Sequence, residues 1–390
     1  MTPSPSPPRS VNLSSSLEEE NTTLKRKIND LEKRLEELTS KRKGAPNPIR
    51  VLGRAVCRLV SCYEAPSILT KEADRRALAE LEGTQVTPTT DEERELVRVQ
   101  DRRFMAYRKL IEVAPRVAEL LKTPDAEDKL TNYLEQLELG ISSARTDDNS
   151  RVKWEVALWL NDAFEPDKPL RMKDRNNRGL QHDVCGRLLT PIEVDWDDLN
   201  MREAIRNGTS EFNINESYFL RCFYPDEGID PNNVEHNFLR SRWLLLTFHA
   251  IFISPSVDED QYIYPGEDEP PCKKQKHSKD GTSKSNVACR IGMNGRVTSR
   301  VIAYTAVMLV FNLTEASRWS EVYNGFSFHS LYNFIIDFFE DTPDPASRNS
   351  TQSLLQWWNH EVFTTQYAYP SDGHASYRKL ASQRASRARN

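Results

Sequence analysis

Residues 16–43 read SLEEENTTLKRKINDLEKRLEELTSKRK, and this stretch decides how the chain is organised. Leucine occupies every seventh position, the d position of a heptad repeat, at Leu17, Leu24, Leu31 and Leu38. The a positions of the same repeat hold Asn21, Ile28 and Leu35. An apolar seam with this spacing predicts a leucine-zipper-like coiled coil, because it keeps one helix face against a partner helix.

The composition of the seam also indicates the partner. Ile at a with Leu at d favours two strands, and a single Asn at a, here Asn21, sets register and oligomer state. Glu20 would face Lys25 of a second helix in a parallel pair, and Lys27 would face Glu32. We therefore predict a parallel homodimer through residues 16–43. The alternative is an amphipathic helix that packs on its own globular domain.

Basic residues follow the zipper, whereas DNA-binding zipper proteins carry their basic helix before it. Arg50, Arg54 and Arg58 are spaced four apart, so they share one helix face. They are candidate phosphate contacts. The favoured interpretation is the solvated face of a helix whose opposite face, Ile49, Leu52, Val56 and Leu59, is core.

Composition excludes several classes of protein. The net charge of -5 means that any nucleic-acid contact must be local. The first residues, MTPSPSPP, lack the apolar segment of a secretory signal, and the apolar run 301–313 is too short to span a bilayer. The six cysteines show no zinc-ligand spacing. We expect a nuclear or cytoplasmic protein that is neither secreted nor membrane-bound, with no metal and no cofactor.

Aromatic residues divide the chain near residue 150. All seven tryptophans, and every phenylalanine except Phe104, lie beyond it. The expected parts are a disordered Ser/Pro-rich tail (1–15), the coiled coil (16–43), a charged helical region (44–149), an aromatic-rich α-helical domain (150–365) and a basic disordered tail (366–390).

Periodicity predicts helices throughout both larger parts. In the charged region they cover 91–122, with a break at Pro115, and 125–139, closed by Gly140. In the aromatic-rich part they cover 152–161, 201–207, 235–253, 298–313, 328–340 and 352–363. No stretch alternates with period two, and no hairpin turn is recognised between apolar runs. The predicted fold class is therefore mainly α.

A polar, Pro-rich stretch, 255–285, interrupts the helical domain and predicts a disordered insert. Its basic half contains Lys273, Lys274 and Lys276 in the sequence PPCKKQK, which is similar to a nuclear import signal. The alternative is that its acidic and basic halves simply compensate each other's charge.

The richest chemical neighbourhood is the segment 172–198, MKDRNNRGLQHDVCGRLLTPIEVDWDD. It contains Arg178, His182, Asp183, Arg187, Asp195, Asp197 and Asp198. The favoured interpretation is structural, with Asp197 or Asp198 capping the helix that follows. The alternatives are a carboxylate site for Mg²⁺ with a nearby His, and anion binding by the Arg and Lys side chains. Because no catalytic motif is present, no catalytic residue is assigned.

The pair Trp357-Trp358 could offer an exposed stacking platform. A tryptophan pair preceded by Leu354 and Leu355 is more typical of one buried and one half-buried ring that anchor a terminal helix.

Several short sequence motifs together resemble those of a known domain family. They are Arg178-Gly-Leu180, Gly186-Arg-Leu-Leu189-x-Pro191, Asp195-Trp196, His249-Ala-Ile-Phe252-Ile-Ser-Pro255, the stretch from Gly292-Met293 to Val301-Ile-Ala-Tyr304, and Leu354-Leu-x-Trp-Trp-Asn359. The set is similar to an uncharacterised family expanded in mushroom-forming basidiomycete fungi, over roughly residues 95–365. The resemblance implies no activity and assigns no site residue; families expanded in this way are sometimes linked to mobile elements.

Three functional hypotheses follow. The first is a non-enzymatic, self-associating interaction protein of the nucleus or cytoplasm. The second is a nucleic-acid-associated protein that uses the basic segments. The third is an enzyme with a carboxylate or metal site near 172–198.

Overall fold

The computed structural model describes residues 47–83, 88–210, 215–253 and 286–364. The predicted coiled coil of residues 16–43, the candidate import signal at Lys273, Lys274 and Lys276, and the basic tail lie outside these ranges.

The described residues are mainly helical, which confirms the predicted fold class. The helices are α1 (Pro48–Leu59), α2 (Pro66–Glu82), α3 (Asp91–Val113), α4 (Arg116–Lys122), α5 (Glu127–Phe164), α6 (Asp183–Leu189), α7 (Leu199–Arg206), α8 (Arg242–Phe248), α9 (Val287–Arg290), α10 (Ser299–Leu313), α11 (Phe328–Glu340) and α12 (Pro345–Asn359). Single turns of other helix types cover Gly179–Gln181, Arg221–Phe223, His249–Ile253 and His360–Thr364.

All residues of helix α10 are buried. It packs against α5, α6, α8 and α11. A helix that is apolar on every side must be covered on every side, which is why the run 301–313 is surrounded by other helices. No helix in the described ranges is long and apolar enough to cross a membrane.

The break at Pro115 is confirmed, since α3 ends at Val113 and α4 begins at Arg116. Thr90 and Glu93 begin α3 with a capping box: the Thr90 hydroxyl accepts from the Glu93 N–H, and the Glu93 carboxylate accepts from the Thr90 N–H. These local signals act through neighbouring residues alone, so the sequence shows them directly.

The predicted helix end at Gly140 is wrong. Helix α5 continues through this glycine to Phe164. A side chain on Gly140 would place its Cβ 2.2 Å from the Arg50 carbonyl oxygen of α1, and a Cβ on Gly53 would lie 2.2 Å from the Leu137 carbonyl oxygen. Gly53 and Gly140 therefore allow α1 and α5 to cross with their backbones in contact, so Gly140 serves helix packing rather than helix termination.

The predicted helix 235–253 is too long at its beginning. Residues 235–241 are not helical, and Asn237 and Leu239 have φ values of 62° and 59°. Helix α8 begins only after Ser241, whose hydroxyl accepts from the Trp243 N–H. Leu239 is nevertheless buried, which explains why its apolar spacing looked helical.

A small β-hairpin was missed. Strands β1 (Val322–Tyr323) and β2 (Phe326–Ser327) pair antiparallel around Asn324 and Gly325, whose φ values are 50° and 82°. Asn-Gly between two apolar residues is the usual sequence of such a turn. The strands are only two residues long, too short for the alternation on which the prediction relied.

The boundary expected at residue 149 falls inside helix α5. Buried side chains from both sides of it, such as Val56 and Leu137 before and Val301 and Phe311 after, belong to one hydrophobic core. From Ile49 onward the described residues form a single compact unit.

Candidate functional site

The segment 172–198 consists of a loop, the single turn Gly179–Gln181, helix α6 and a second loop that leads into α7. His182 is the N-cap of α6. Its Nδ1 accepts from the N–H groups of Val184 and Cys185, at 3.3 and 3.4 Å, and its Nε2 lies 2.8 Å from the Lys168 carbonyl oxygen. Because Nδ1 accepts, Nε2 carries the proton and donates, so both ring nitrogens serve the fold.

The three aspartates before α7 have distinct positions. Asp198 caps the helix, with its Oδ1 accepting from the N–H groups of Asn200 and Met201 at 2.9 and 3.4 Å. Asp195 accepts from the Asp197 N–H at 2.9 Å, and Asp197 forms an ion pair with Arg187. The capping interpretation is confirmed for Asp198, whereas Asp197 pairs with an arginine instead.

Arginine partners keep two carboxyl groups of the segment, those of Asp183 and Asp197, ionised. The hydrogen bond from Arg206, at 2.6 Å, lowers the pKa of Asp183. In the same way the hydrogen bond from Arg187 lowers the pKa of Asp197. Ionised, paired carboxylates fit a structural role for this part of the segment. Within the described residues, no group of three or more His, Cys, Asp or Glu side chains could hold a metal ion.

Two arginines of the preceding loop are deeply buried. Arg178 is fully buried, and Arg175 is 5% exposed. Arg178 donates to the carbonyl oxygens of Asn312, Lys153 and Arg171. The sequence pointed to Arg178, but it did not distinguish Arg175 from the exposed basic residues around it.

Arg175 lies beside Arg178 at the end of α10. It donates to the Ala316 carbonyl oxygen and to the side-chain oxygens of Asn149 and Asn312, and its guanidinium lies 4.7 Å from the Phe311 ring centre. Both arginines thus contact the carboxyl end of α10, where the helix dipole is negative. We call Lys153, Arg175 and Arg178 the cation cluster.

The positive charges of the cation cluster are unfavourable in their buried positions. Burial, together with the charge of Arg178, lowers the pKa of Arg175 to about 10. Burial also lowers the pKa of Arg178. The pKa of Lys153 is lowered by burial and by both arginines. Each charge is therefore disfavoured by its surroundings.

The candidate phosphate contacts on α1 face helix α5. Arg50 donates to Gln136 at 3.0 Å, and Arg54 pairs with Asp147 at 2.6 Å. Arg58 is buried and binds Asp148 with two hydrogen bonds of 2.7 and 2.8 Å. The expectation of a solvated arginine face is wrong for Arg58, because α5 covers this side of α1 and supplies the acidic partners.

The Arg58–Asp148 pair is completed by Tyr304 of α10, whose hydroxyl donates to Asp148 at 2.8 Å. Cys57 lies beside it, and burial raises the pKa of its thiol to about 12. Burial likewise raises the pKa of the Cys185 thiol to about 12. These thiols are protonated at neutral pH and unsuited to nucleophilic chemistry.

The tryptophan pair is confirmed as a packing feature. Trp358 is fully buried, and its indole N–H donates to the Leu239 carbonyl oxygen at 3.1 Å. Trp357 is half-buried, with the Arg240 guanidinium 5.1 Å from its ring centre.

The described structure is that of a mainly α-helical protein. The charged residues of 172–198 cap helices, form ion pairs, or donate hydrogen bonds to the end of a neighbouring helix. The chain belongs to the family of unknown function DUF6698, which matches residues 139–363. The end of the match agrees with the expected limit near 365, but its start lies well after the expected 95. No curated protein and no solved structure matches the chain.

Proposed function

We propose that this protein is a non-enzymatic interaction protein that self-associates as a parallel dimer through residues 16–43 and presents its helical domain to other macromolecules. The observation that carries the proposal is the heptad repeat of Leu17, Leu24, Leu31 and Leu38 with Asn21 at an a position. The partners assigned to His182, Asp183, Arg187 and Asp197 support it, because these side chains act within the fold.

The test is sedimentation equilibrium of the full chain, a chain that starts at Ala45, and an Asn21→Ile variant. We expect a concentration-dependent dimer for the full chain and a monomer after truncation. Asn21→Ile removes the polar residue that selects two strands, so it should shift the protein towards higher oligomers.

Asn29→Ile is the matched control for Asn21→Ile. Asn29 follows the a position of Ile28 and falls at b, off the seam, so the same chemical change should leave the dimer unaltered. If the full and truncated chains are both monomers, residues 16–43 do not mediate association and the proposal fails.

We propose action in the nucleus, with Lys273, Lys274 and Lys276 as the import signal. Replacing all three by Gln should leave a fluorescently tagged protein in the cytoplasm of its host cell. Unchanged nuclear accumulation would contradict this assignment.

Nucleic-acid association is the second candidate. It would rest on Lys273, Lys274, Lys276 and the basic tail, since Arg54 and Arg58 pair with acidic residues of α5. Retention on DNA that falls steeply with salt, and that is lost when the three lysines become Gln, would favour it.

A further inference from the structure

The cation cluster of Lys153, Arg175 and Arg178 carries more positive charge than its surroundings neutralise. The partners of the two guanidinium groups are carbonyl and amide oxygens, and none in the described chain is a carboxylate. The carboxyl end of a helix carries about −0.5 elementary charge, far less than two guanidinium groups and an ammonium group.

Asp174 lies beside the cluster, but its carboxylate does not neutralise the remaining positive charge. Burial lowers the pKa of Lys153 and of Arg178, and the nearby charge of Asp174 only partly opposes this lowering. Its carboxylate pairs with Arg171 at 3.5 Å, and its side chain is 39% exposed, so water screens it. Counted in full, the Asp174 carboxylate and the carboxyl end of α10 neutralise about half of the three positive charges, so a surplus of about 1.5 elementary charges remains at the cluster.

The cluster also contains buried hydrogen-bond donors that have no acceptor among the described residues. The Nε–H groups of Arg175 and Arg178 are buried, and neither has a partner among the described residues. Lys153 donates to the Lys173 carbonyl oxygen at 2.7 Å, which uses only one of its three ammonium hydrogens. Buried donors without a partner cost free energy that an acceptor would recover.

We propose that the cation cluster is a binding site for a phosphate-type dianionic oxyanion, either free phosphate or the phosphoryl group of a small phosphomonoester. Tetrahedral oxyanions take charge-assisted hydrogen bonds from guanidinium N–H groups and from ammonium groups. Lys153 is half-buried and Lys173 exposed, so the ligand enters on their side of the cluster. This site goes beyond self-association and is independent of it.

The test is isothermal titration of the full chain with sodium phosphate, in sodium chloride at matched ionic strength. We expect saturable phosphate binding by the wild type and binding weakened about tenfold or more in Lys153→Gln, which removes a charge but keeps a donor for the Lys173 carbonyl. Lys109→Gln, which removes a lysine of α3 paired with Glu112, is the matched control and should bind like the wild type.

A second readout locates the ligand without any substitution at the buried arginines. Phosphate should shift the Arg175 and Arg178 Nε–H resonances in a ¹H–¹⁵N spectrum, with Arg116, exposed on α4, as an internal reference. A second titration with a nucleoside monophosphate distinguishes the two sources, because binding of both ligands indicates a site open to phosphomonoesters and binding of phosphate alone an enclosed one. Heats no larger than those of the chloride control, or equal affinities in Lys153→Gln and Lys109→Gln, would overturn the proposal.

Discussion

At the scale of single residues, the buried pair Arg58–Asp148 joins α1 to α5 inside the core. The side chains are 4% and 3% exposed, and Tyr304 provides a third hydrogen bond to the same carboxylate. A buried pair gains little over an apolar replacement of similar shape, but loss of one member leaves an uncompensated charge in the interior. The pair therefore affects stability mainly through the cost of removing one of its two members.

We predict that Arg58→Met lowers the free energy of unfolding by about 3–5 kcal/mol, because Asp148 is left buried and unpaired. Arg54→Met, on the same face of α1, should cost at most about 1 kcal/mol, since the Arg54–Asp147 pair is partly exposed. Urea denaturation measures both. The double variant Arg58→Met with Asp148→Leu should recover much of the loss; equal costs for Arg58→Met and Arg54→Met would contradict the prediction.

At the scale of elements, the crossing of α1 and α5 depends on the absence of two side chains. Replacing a glycine inside a helix by alanine normally adds about 1 kcal/mol of stability through helix propensity. At Gly140 the added Cβ would overlap the Arg50 carbonyl of α1, a backbone atom that cannot rotate away. Steric overlap should outweigh propensity here.

Gly140→Ala is therefore predicted to destabilise the protein by about 1–3 kcal/mol, as overpacking does. Ser143→Ala, at an exposed position of the same helix, should be neutral or slightly stabilising and serves as the control. Thermal unfolding of both variants gives the sign directly. A higher melting temperature for Gly140→Ala would show that the helices separate readily and that their close approach is unimportant.

At the scale of the whole molecule, the family match and the folding unit do not coincide. The match begins at residue 139, inside α5, and leaves out α1 to α4. Yet buried side chains from these helices, among them Val56, Leu69 and Leu110, belong to the common core. Arg300 of α10 donates to the Val60 carbonyl oxygen at 2.8 Å, which ties the fully buried helix to the residue after α1.

We predict that a chain of residues 139–364 does not fold cooperatively, whereas residues 47–364 do. Removal of α1 to α4 uncovers one side of the apolar core and leaves Asp148 without Arg58. Calorimetry and binding of a hydrophobic dye test this. A sharp calorimetric transition without dye binding in the shorter chain would show that the family region folds alone and that α1 to α4 are an accessory layer.

How well the sequence predicts a feature of this structure depends on how far apart along the chain the interacting residues lie. The Pro115 break, the α7 cap at Asp198 and the α11 limits Phe328–Glu340 follow from neighbouring residues and were predicted. The hairpin at Asn324-Gly325 was equally local and could have been recognised. The burial of Arg175 could not, because a loop with Arg171, Lys173, Arg175 and Arg178 looks uniformly solvated until the end of α10 is placed against it.

The sequence by itself determined the helical class, the buried character of α10, and the heptad spacing on which self-association is proposed, since each rests on periodicity along the chain. Only the tertiary structure decided that α1 and α5 cross at Gly140 and that Arg58 forms an ion pair with Asp148. It alone brought Arg175 and Arg178 to the end of α10, with Lys153 of α5 beside them. These outcomes depend on which distant segments meet, and no local pattern specifies the partner that a side chain will find.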